Sequence, residues 1–263
     1  MELSLAGKRA FISGSTQGIG RAIARALLEE GATVVVNGRG DERLQTTVDD
    51  LRAQVPGADV AGIAADFTDP AQVQDLAERL GPVDVLVNNV GVFEVKAFDQ
   101  IPDDDWQRYF EVNVMSGVRM ARHALPGMLE RGWGRIIFVG SESGVNVPSD
   151  MTHYGMSKAA SLAVANGLAK LTRGTAVTVN TILGGPTYSH GVDAAVRGIA
   201  TAQGMAPNDL KDAIATGHPT SLLQRFIEPA EIASLAVYLA SPVASAVNGA
   251  ALRADGGALT GVL

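Results

Sequence analysis

The chain has no cysteine. Disulfides, thiol nucleophiles and thiolate metal ligands are thereby all excluded. Nor is there a stretch with the roughly 20 apolar residues needed to cross a bilayer. The opening Met1-Glu2-Leu3-Ser4-Leu5-Ala6-Gly7-Lys8 is neither a basic leader nor a continuous apolar run. Positive charge is the minority sign: 21 Lys and Arg face 28 Asp and Glu, for a net charge of −7. Nucleic-acid binding relies on clustered cations that neutralise phosphates, so that class of partner is not expected. The four histidines, His123, His153, His190 and His218, show no spacing of the His-Glu-x-x-His kind, and no metal is expected. No repeat of solenoid period and no linker-like segment divides the sequence. These absences point to a soluble cytoplasmic protein with neither a membrane nor a nucleic acid as partner.

What is present is an alternation. Short apolar runs at 9–13, 33–37, 60–64, 83–87, 135–139 and 176–180 read as strands, with a seventh at 249–253. Between them lie amphipathic stretches expected as helices over about 18–30, 41–54, 103–130, 152–172 and 228–240. A further helix begins at Pro70, with Asp69 as its cap. Strands buried on both faces and separated by helices predict an α/β fold, a Rossmann-type doubly wound parallel sheet in a single domain over 1–263. Only 185–225 breaks the pattern, and this stretch is expected to carry two short helices as a substrate loop.

Gly14-Ser15-Thr16-Gln17-Gly18-Ile19-Gly20 lies between the first strand and its helix. Glycines permit a tight turn there, and the helix N-terminus presents free N–H groups to a pyrophosphate. The second strand ends in Asn37-Gly38-Arg39, without the acid that would bind a ribose 2′-hydroxyl. Arg39 therefore favours the 2′-phosphate of NADP(H), with NAD(H) as the alternative. Asp66, followed by Phe67, stands after the third strand where it would meet the adenine amino group.

Tyr154 and Lys158 are four residues apart and share one helix face. Lowering a phenol by two or three pKa units takes roughly 3–4 kcal/mol. A cation about 4 Å away supplies about that much at an effective dielectric near 20. The pair is accordingly expected to exchange protons near neutrality, with the ammonium acidifying the phenol.

Taken together, these residues resemble the short-chain dehydrogenase/reductase family over essentially the whole chain. Residues 14–20 match its glycine motif, with Ser13 where threonine is usual, and Asn88-Asn89-Val90-Gly91 resembles its Asn-Asn-Ala-Gly motif. Asn113, Ser141, Tyr154 and Lys158 occupy the four positions of its catalytic tetrad, Ser141 lying 13 residues before Tyr154. The resemblance implies that Tyr154 gives a proton to a carbonyl oxygen or takes one from an alcohol. It implies that Lys158 lowers the Tyr154 pKa and holds the nicotinamide ribose, that Ser141 hydrogen-bonds the substrate oxygen, and that Asn113 anchors a proton-relaying water. Cofactor contacts are implied for the glycine motif, Arg39, Asp66, Phe67, Asn89, Val90, Gly91, Tyr154, Lys158, Gly185, Thr187 and Ser189. A homo-oligomer, a tetramer through the long helices and the C-terminal segment, is implied as well.

Two departures from the family pattern carry expectations. Val90 replaces alanine and should tighten the adenosine side of the pocket. Gly184-Gly185-Pro186-Thr187 replaces the usual Pro-Gly start of the substrate loop, and that start should be more mobile.

Residues expected to face substrate are Phe93, Ser141, Ser143, Val145, Val147, Met151, Tyr154, Ser189 and His190, a mostly apolar lining with a few polar points. Met151, Met156 and Met205 offer adaptable surface. No arginine stands out as a clamp for a carboxylate or phosphate, which favours a neutral carbonyl or secondary alcohol. The expected function is an NADP-dependent oxidoreductase acting on such a small molecule. One rival is a 3-oxoacyl-thioester (acyl-carrier-protein) reductase, with Arg131 and Arg173 as candidates to dock an acidic carrier. The other, from a different class, is a non-catalytic, cofactor-sensing binding protein.

Overall fold

Runs of valine, isoleucine and leucine make seven strands: β1 (Arg9–Ile12), β2 (Thr33–Gly38), β3 (Val60–Ala64), β4 (Val85–Asn88), β5 (Trp133–Ser141), β6 (Ala176–Gly184) and β7 (Ala251–Ala254). The computed structural model describes residues 2–262, with His190 described by its backbone alone. The strands form one sheet in the order β3-β2-β1-β4-β5-β6-β7, and every neighbouring pair is parallel. The chain leaves β1 toward β2 and returns past it to β4. The switch point of this doubly wound sheet therefore lies between β1 and β4, where ligands bind in such folds.

Period-two alternation sends the side chains to both faces. Val85 and Val87 enter one core with Ile12, Val34, Ile23 and Leu27, whereas Leu86 enters the other with Phe11, Val35, Ile136 and Met120. Helices α1 (Gly18–Glu29) and α2 (Asp41–Gln54) follow the first two strands, and α3 (Pro70–Leu80) follows the third. In α3 the Asp69 carboxylate caps the Ala71 and Gln72 amides. Helix α9 (Pro229–Ala240) buries Ile232, Ala233, Ala236 and Val237 in the first core. Among the described residues no helix is long and apolar enough to cross a membrane.

Three differences from the sequence expectations matter for the site. The long helix expected over 103–130 is α4 (Asp103–Phe110) and α5 (Ser116–Arg131) joined by a widened π turn, Glu111–Met115. Such insertions are a known device for turning a side chain inward, and here the turned residue is Asn113. Strands β5 and β6 also run further than their apolar runs, to Ser141 and Gly184, paired residue by residue throughout. The polar and glycine residues at their ends hide the continuation from any hydrophobicity argument.

The third difference is at the start of the substrate loop, which is pinned where mobility was expected. Gly185 N–H donates to the Ala254 carbonyl at 3.2 Å, and Ile227 N–H donates to the Pro186 carbonyl at 2.8 Å. Tyr188 N–H donates to the Ile227 carbonyl at 2.9 Å. The missing proline is compensated by close backbone packing: a Cβ on Gly185 would lie 2.7 Å from the Asp255 Cα. Beyond it, α7 (His190–Gln203) and α8 (Pro207–Thr216) are the two helices expected in the loop.

Gly185→Ala should therefore force backbone movement at the loop start, and overpacking of this kind costs about 1–3 kcal/mol. A lowered urea midpoint at unchanged slope is the expected result.

Candidate active site

Gly14 and Gly18 both adopt positive φ, 60° and 56°, which only glycine does without strain. Their turn delivers the chain into α1, whose cap position, Gln17, makes no side-chain capping bond. The first amides of α1 are thus left for an outside acceptor. That bare N-terminus at the switch point fits a pyrophosphate. Other parts of the motif serve to hold the turn. Ser15 is fully buried, donating to the Ile12 carbonyl at 2.7 Å and accepting from Asn37 N–H at 2.9 Å. Asn89 Nδ2 donates to the carbonyls of Ser13 and Gly14 at 3.0 and 2.9 Å. The Ser13 hydroxyl in turn accepts from the amides of Asn89 and Val90. A Cβ on Gly20 would lie 2.6 Å from the Gly14 carbonyl, so Gly20 permits close contact between helix and turn. Val90 packs its extra methyls over Gly14.

The sequence assigns Ser15, Gly20 and Asn89 to cofactor contact. Structurally, their side-chain positions are turned inward to brace the cradle, while Thr16, Gln17, Gly18 and Ile19 stay partly accessible. The Phe67 ring is likewise buried, in the second core beside Phe11 and Val35. Asp66 is half-buried, and its carboxylate accepts from the amide and hydroxyl of Thr68. Arg39 is exposed at the end of β2.

The catalytic candidates converge at the C-terminal edge of β5. Ser141 is its last residue, and Tyr154 and Lys158 project from α6 (Thr152–Leu171). Lys158 Nζ donates to the Val139 carbonyl at 3.0 Å and lies 5.7 Å from the centre of the Tyr154 ring. Gly91 completes this wall, since a Cβ there would approach both Asn113 Oδ1 and Lys158 Nζ at 3.4 Å. Asn113 reaches in from the π turn. Its Oδ1 accepts from Val92 N–H at 2.7 Å, and its Nδ2 donates to the Val92 carbonyl at 2.9 Å and to Ser157 Oγ at 2.8 Å. Both amide protons of Asn113 are thereby committed to the chain, so its side chain has none to offer a water.

Electrostatics correct the expected acidification. Burial pushes the Tyr154 phenol up to about 12, with Glu142 adding to the rise and the hydrogen-bonded Ser141 hydroxyl opposing it. Burial likewise pushes Lys158 down to about 8. Four-residue spacing brings the two groups together but says nothing of the water each loses. Desolvation disfavours the charged form of both, and it is the leading cause of each shift.

Residues 8–198 match the family model described as short chain dehydrogenase. The chain belongs to the short-chain dehydrogenase family. Relatives along its whole length include the "uncharacterized oxidoreductase YvaG" of Bacillus subtilis (strain 168), 43% identical and covered fully in both chains. The "uncharacterized oxidoreductase YvrD" of the same organism is 44% identical, over 98% of each chain. Among solved structures, L-sorbose reductase from Gluconobacter frateurii, complexed with NADPH and L-sorbose, superposes with a TM-score of 0.94 at 31% identity, over all of both chains. As a member of this family the protein is an oxidoreductase of alcohol and carbonyl groups.

In this short-chain dehydrogenase the expected substrate side is partly assembled. The Phe93 ring meets the Tyr154 ring edge-on at 6.4 Å. Ser143 is buried beside Ser141, and Met151 is half-buried at the start of α6. Val145 and Val147 are exposed at the rim. Thr187 is buried and donates to the Gly185 carbonyl, and the Ser189 hydroxyl accepts from Val192 N–H as the cap of α7. The His190 side chain lies outside the described residues.

Arg131 and Arg173, considered for carrier docking, close α5 and follow α6 at the N-terminal edge of the sheet, just before β5 and β6 begin. Nine-residue strands separate them from the site by about 30 Å. The long helices run back along the sheet and return the chain to its far side.

Three residues were missed. Arg43, in the first turn of α2, hydrogen-bonds Gln17 and lines a cavity of about 750 Å³ beside Thr16 and Gly18. Its place in the first turn of the helix after the second strand was a usable signal. Glu142 sits directly on Ser141, legible only as a neighbour in sequence. His218 faces Glu142 from beyond α8, and nothing in the sequence indicates that.

A pH test follows from Lys158. It titrates near 8 in the fold against an ordinary 10.5, so in that window the unfolded chain binds more protons and stability rises with pH. Tyr154, at about 12 against 10, acts in the opposite sense only above pH 10. Lys158→Met should remove a gain on the order of 3 kcal/mol between pH 8 and 10.5. Denaturant unfolding of both proteins across that range measures it, and parallel curves would refute the burial argument.

Proposed function

We propose that this protein is an NADP-dependent oxidoreductase that interconverts a small carbonyl compound and its secondary alcohol, with Tyr154 as the proton donor and acceptor. The carrying observation is that Tyr154 and Ser141 come together at the end of β5, close enough for the serine hydroxyl to oppose the rise in the phenol's pKa, with Lys158 beside the Tyr154 ring and an uncapped helix N-terminus at the switch point of the same sheet. The nicotinamide supplies or accepts the hydride when bound. Thr16, Gln17, Gly18 and Ile19 would hold the pyrophosphate, and Asp66 the adenine side. Arg39 and Arg43 would hold the 2′-phosphate, a reading supported by the NADPH in the L-sorbose reductase structure.

A phenol near 12 holds its proton firmly at neutral pH. Tyr154 is thus loaded as an acid for the reducing direction, and it releases the proton as negative charge grows on the substrate oxygen. Ser141, whose hydroxyl proton rests on Glu142, would turn that proton to the same oxygen as the charge grows. Lys158 anchors α6 to β5 through Val139, which holds the phenol in place. Asn113 fixes the Val92 backbone opposite, through two bonds to that one residue. Assembly into a homo-oligomer belongs to the same proposal. Phe110 and Leu171, 45% and 62% exposed, offer apolar surface on the helices expected to form it.

A panel of ketones, aldehydes and alcohols, assayed with NADPH and NADH, tests the function. A cofactor-sensing protein would bind NADPH and consume none. Tyr154→Phe should lower kcat by about 100- to 10,000-fold while leaving NADPH affinity nearly unchanged, and retained turnover would remove Tyr154 from proton transfer. Arg39→Asp and Arg43→Glu should each cut the NADPH-to-NADH preference by about tenfold or more. An unmoved ratio would take that arginine out of the phosphate site.

A further inference from the structure

One carboxylate at this site takes no part in the proton chemistry. Glu142 opens the short turn Glu142–Gly144 that follows β5. Its Oε2 accepts the Ser141 hydroxyl proton at 2.8 Å. Ser143 N–H in turn donates to Ser141 Oγ at 3.1 Å, so the turn closes on itself and fixes the carboxylate. Three elements bring titratable groups to face it: Tyr154 from α6, His218 from the segment after α8, and Asp255 from beyond β7. His218 Nδ1 accepts from Ser221 N–H at 3.2 Å, which leaves its other ring nitrogen as the donor. Asp255 is occupied with the amides of Gly257 and Leu259 and with Arg253. Lys158, behind the phenol, is directed to the Val139 carbonyl.

A carboxylate has about four lone-pair directions, and the Ser141 hydroxyl engages one of them. Glu142 is half-buried next to the hydroxyl pair that would meet the substrate oxygen. Unused acceptor capacity beside a reacting carbonyl suits a substrate hydroxyl, whose bond to a charged acceptor is strengthened. The same negative charge in a partly desolvated site repels a second carboxylate.

We propose that Glu142 sets specificity in this enzyme: it accepts a hydrogen bond from a hydroxyl near the reacting carbonyl and turns away substrates that carry a carboxylate there. The substrate class is a neutral hydroxyketone or the corresponding polyol. This inference rests on the oxidoreductase reading above and adds the chemical class to it. Sites that hydrogen-bond a substrate hydroxyl discriminate strongly against compounds lacking it, because the protein group is then left unpaired.

4-Hydroxy-2-butanone and acetoacetate share a carbon skeleton and differ in CH2OH against COO−. The test is the ratio of their kcat/KM values with NADPH, for wild type, Glu142→Gln and Glu142→Asp. Wild type should favour the hydroxyketone by about 100-fold. Glu142→Gln should shrink that ratio by about tenfold or more, and Glu142→Asp should keep most of it because the charge is retained. Burial raises the Glu142 carboxyl, so lowering the pH toward its titration should shrink the wild-type ratio and leave that of Glu142→Gln flat. Effects of Tyr154, Lys158 and His218 common to both ketones cancel in the ratio.

Equal ratios in wild type and Glu142→Gln, or a wild-type preference for acetoacetate, would overturn the proposal. Reduction of other carbonyls but of neither ketone would overturn it too, while the oxidoreductase reading stands. Absence of turnover with any carbonyl would sink that reading, and this proposal with it.

Discussion

The bond from the Lys158 ammonium to the Val139 carbonyl joins the two elements on which the site is built. It ties α6, which carries the tyrosine, to β5, which carries the serine, at a point where both are already buried. An ammonium at such a depth is costly unless it is hydrogen-bonded, and burial still pushes Lys158 down to about 8. The lysine's first effect is therefore geometric. Its charge acts on a phenol that burial holds near 12, so the site rests as an acid with its proton on.

A second set of bonds does the same for the other half of the site. Ser13, Ser15, Asn37 and Asn89 exchange hydrogen bonds among β1, β2 and the end of β4, around a turn whose glycines bring the backbones close. These side chains look like ligand contacts in sequence because they lie inside the glycine and asparagine motifs. Their work is to hold a bare helix N-terminus at the switch point of the sheet. Thr16, Gln17 and Arg43 line the cavity beside it, from two different βα units.

The two halves meet through Asn113 and Val92. A widened turn in the middle of a 29-residue helical stretch, 103–131, swings the asparagine onto the irregular segment that follows the Asn-Asn-Val-Gly motif. Glu142 and His218 then bring in the substrate loop, so that the serine, the phenol and the loop share one hydrogen-bonded and electrostatic neighbourhood.

Apolar periodicity by itself determined the strands, most helix boundaries and the parallel doubly wound sheet, because burial on both faces leaves a pattern that local composition cannot hide. Four-residue spacing put Tyr154 and Lys158 on one helix face, and the family resemblance named Ser141 and Asn113 as the residues that join them at the sheet edge. Only the tertiary structure decided which motif side chains face outward, that the loop start is pinned by Asp255, that Arg131 and Arg173 lie at the wrong edge, and that Tyr154 is not acidified. Each of these depends on how much water a group loses and on partners distant in sequence, and neither quantity is written in the spacing of residues along the chain.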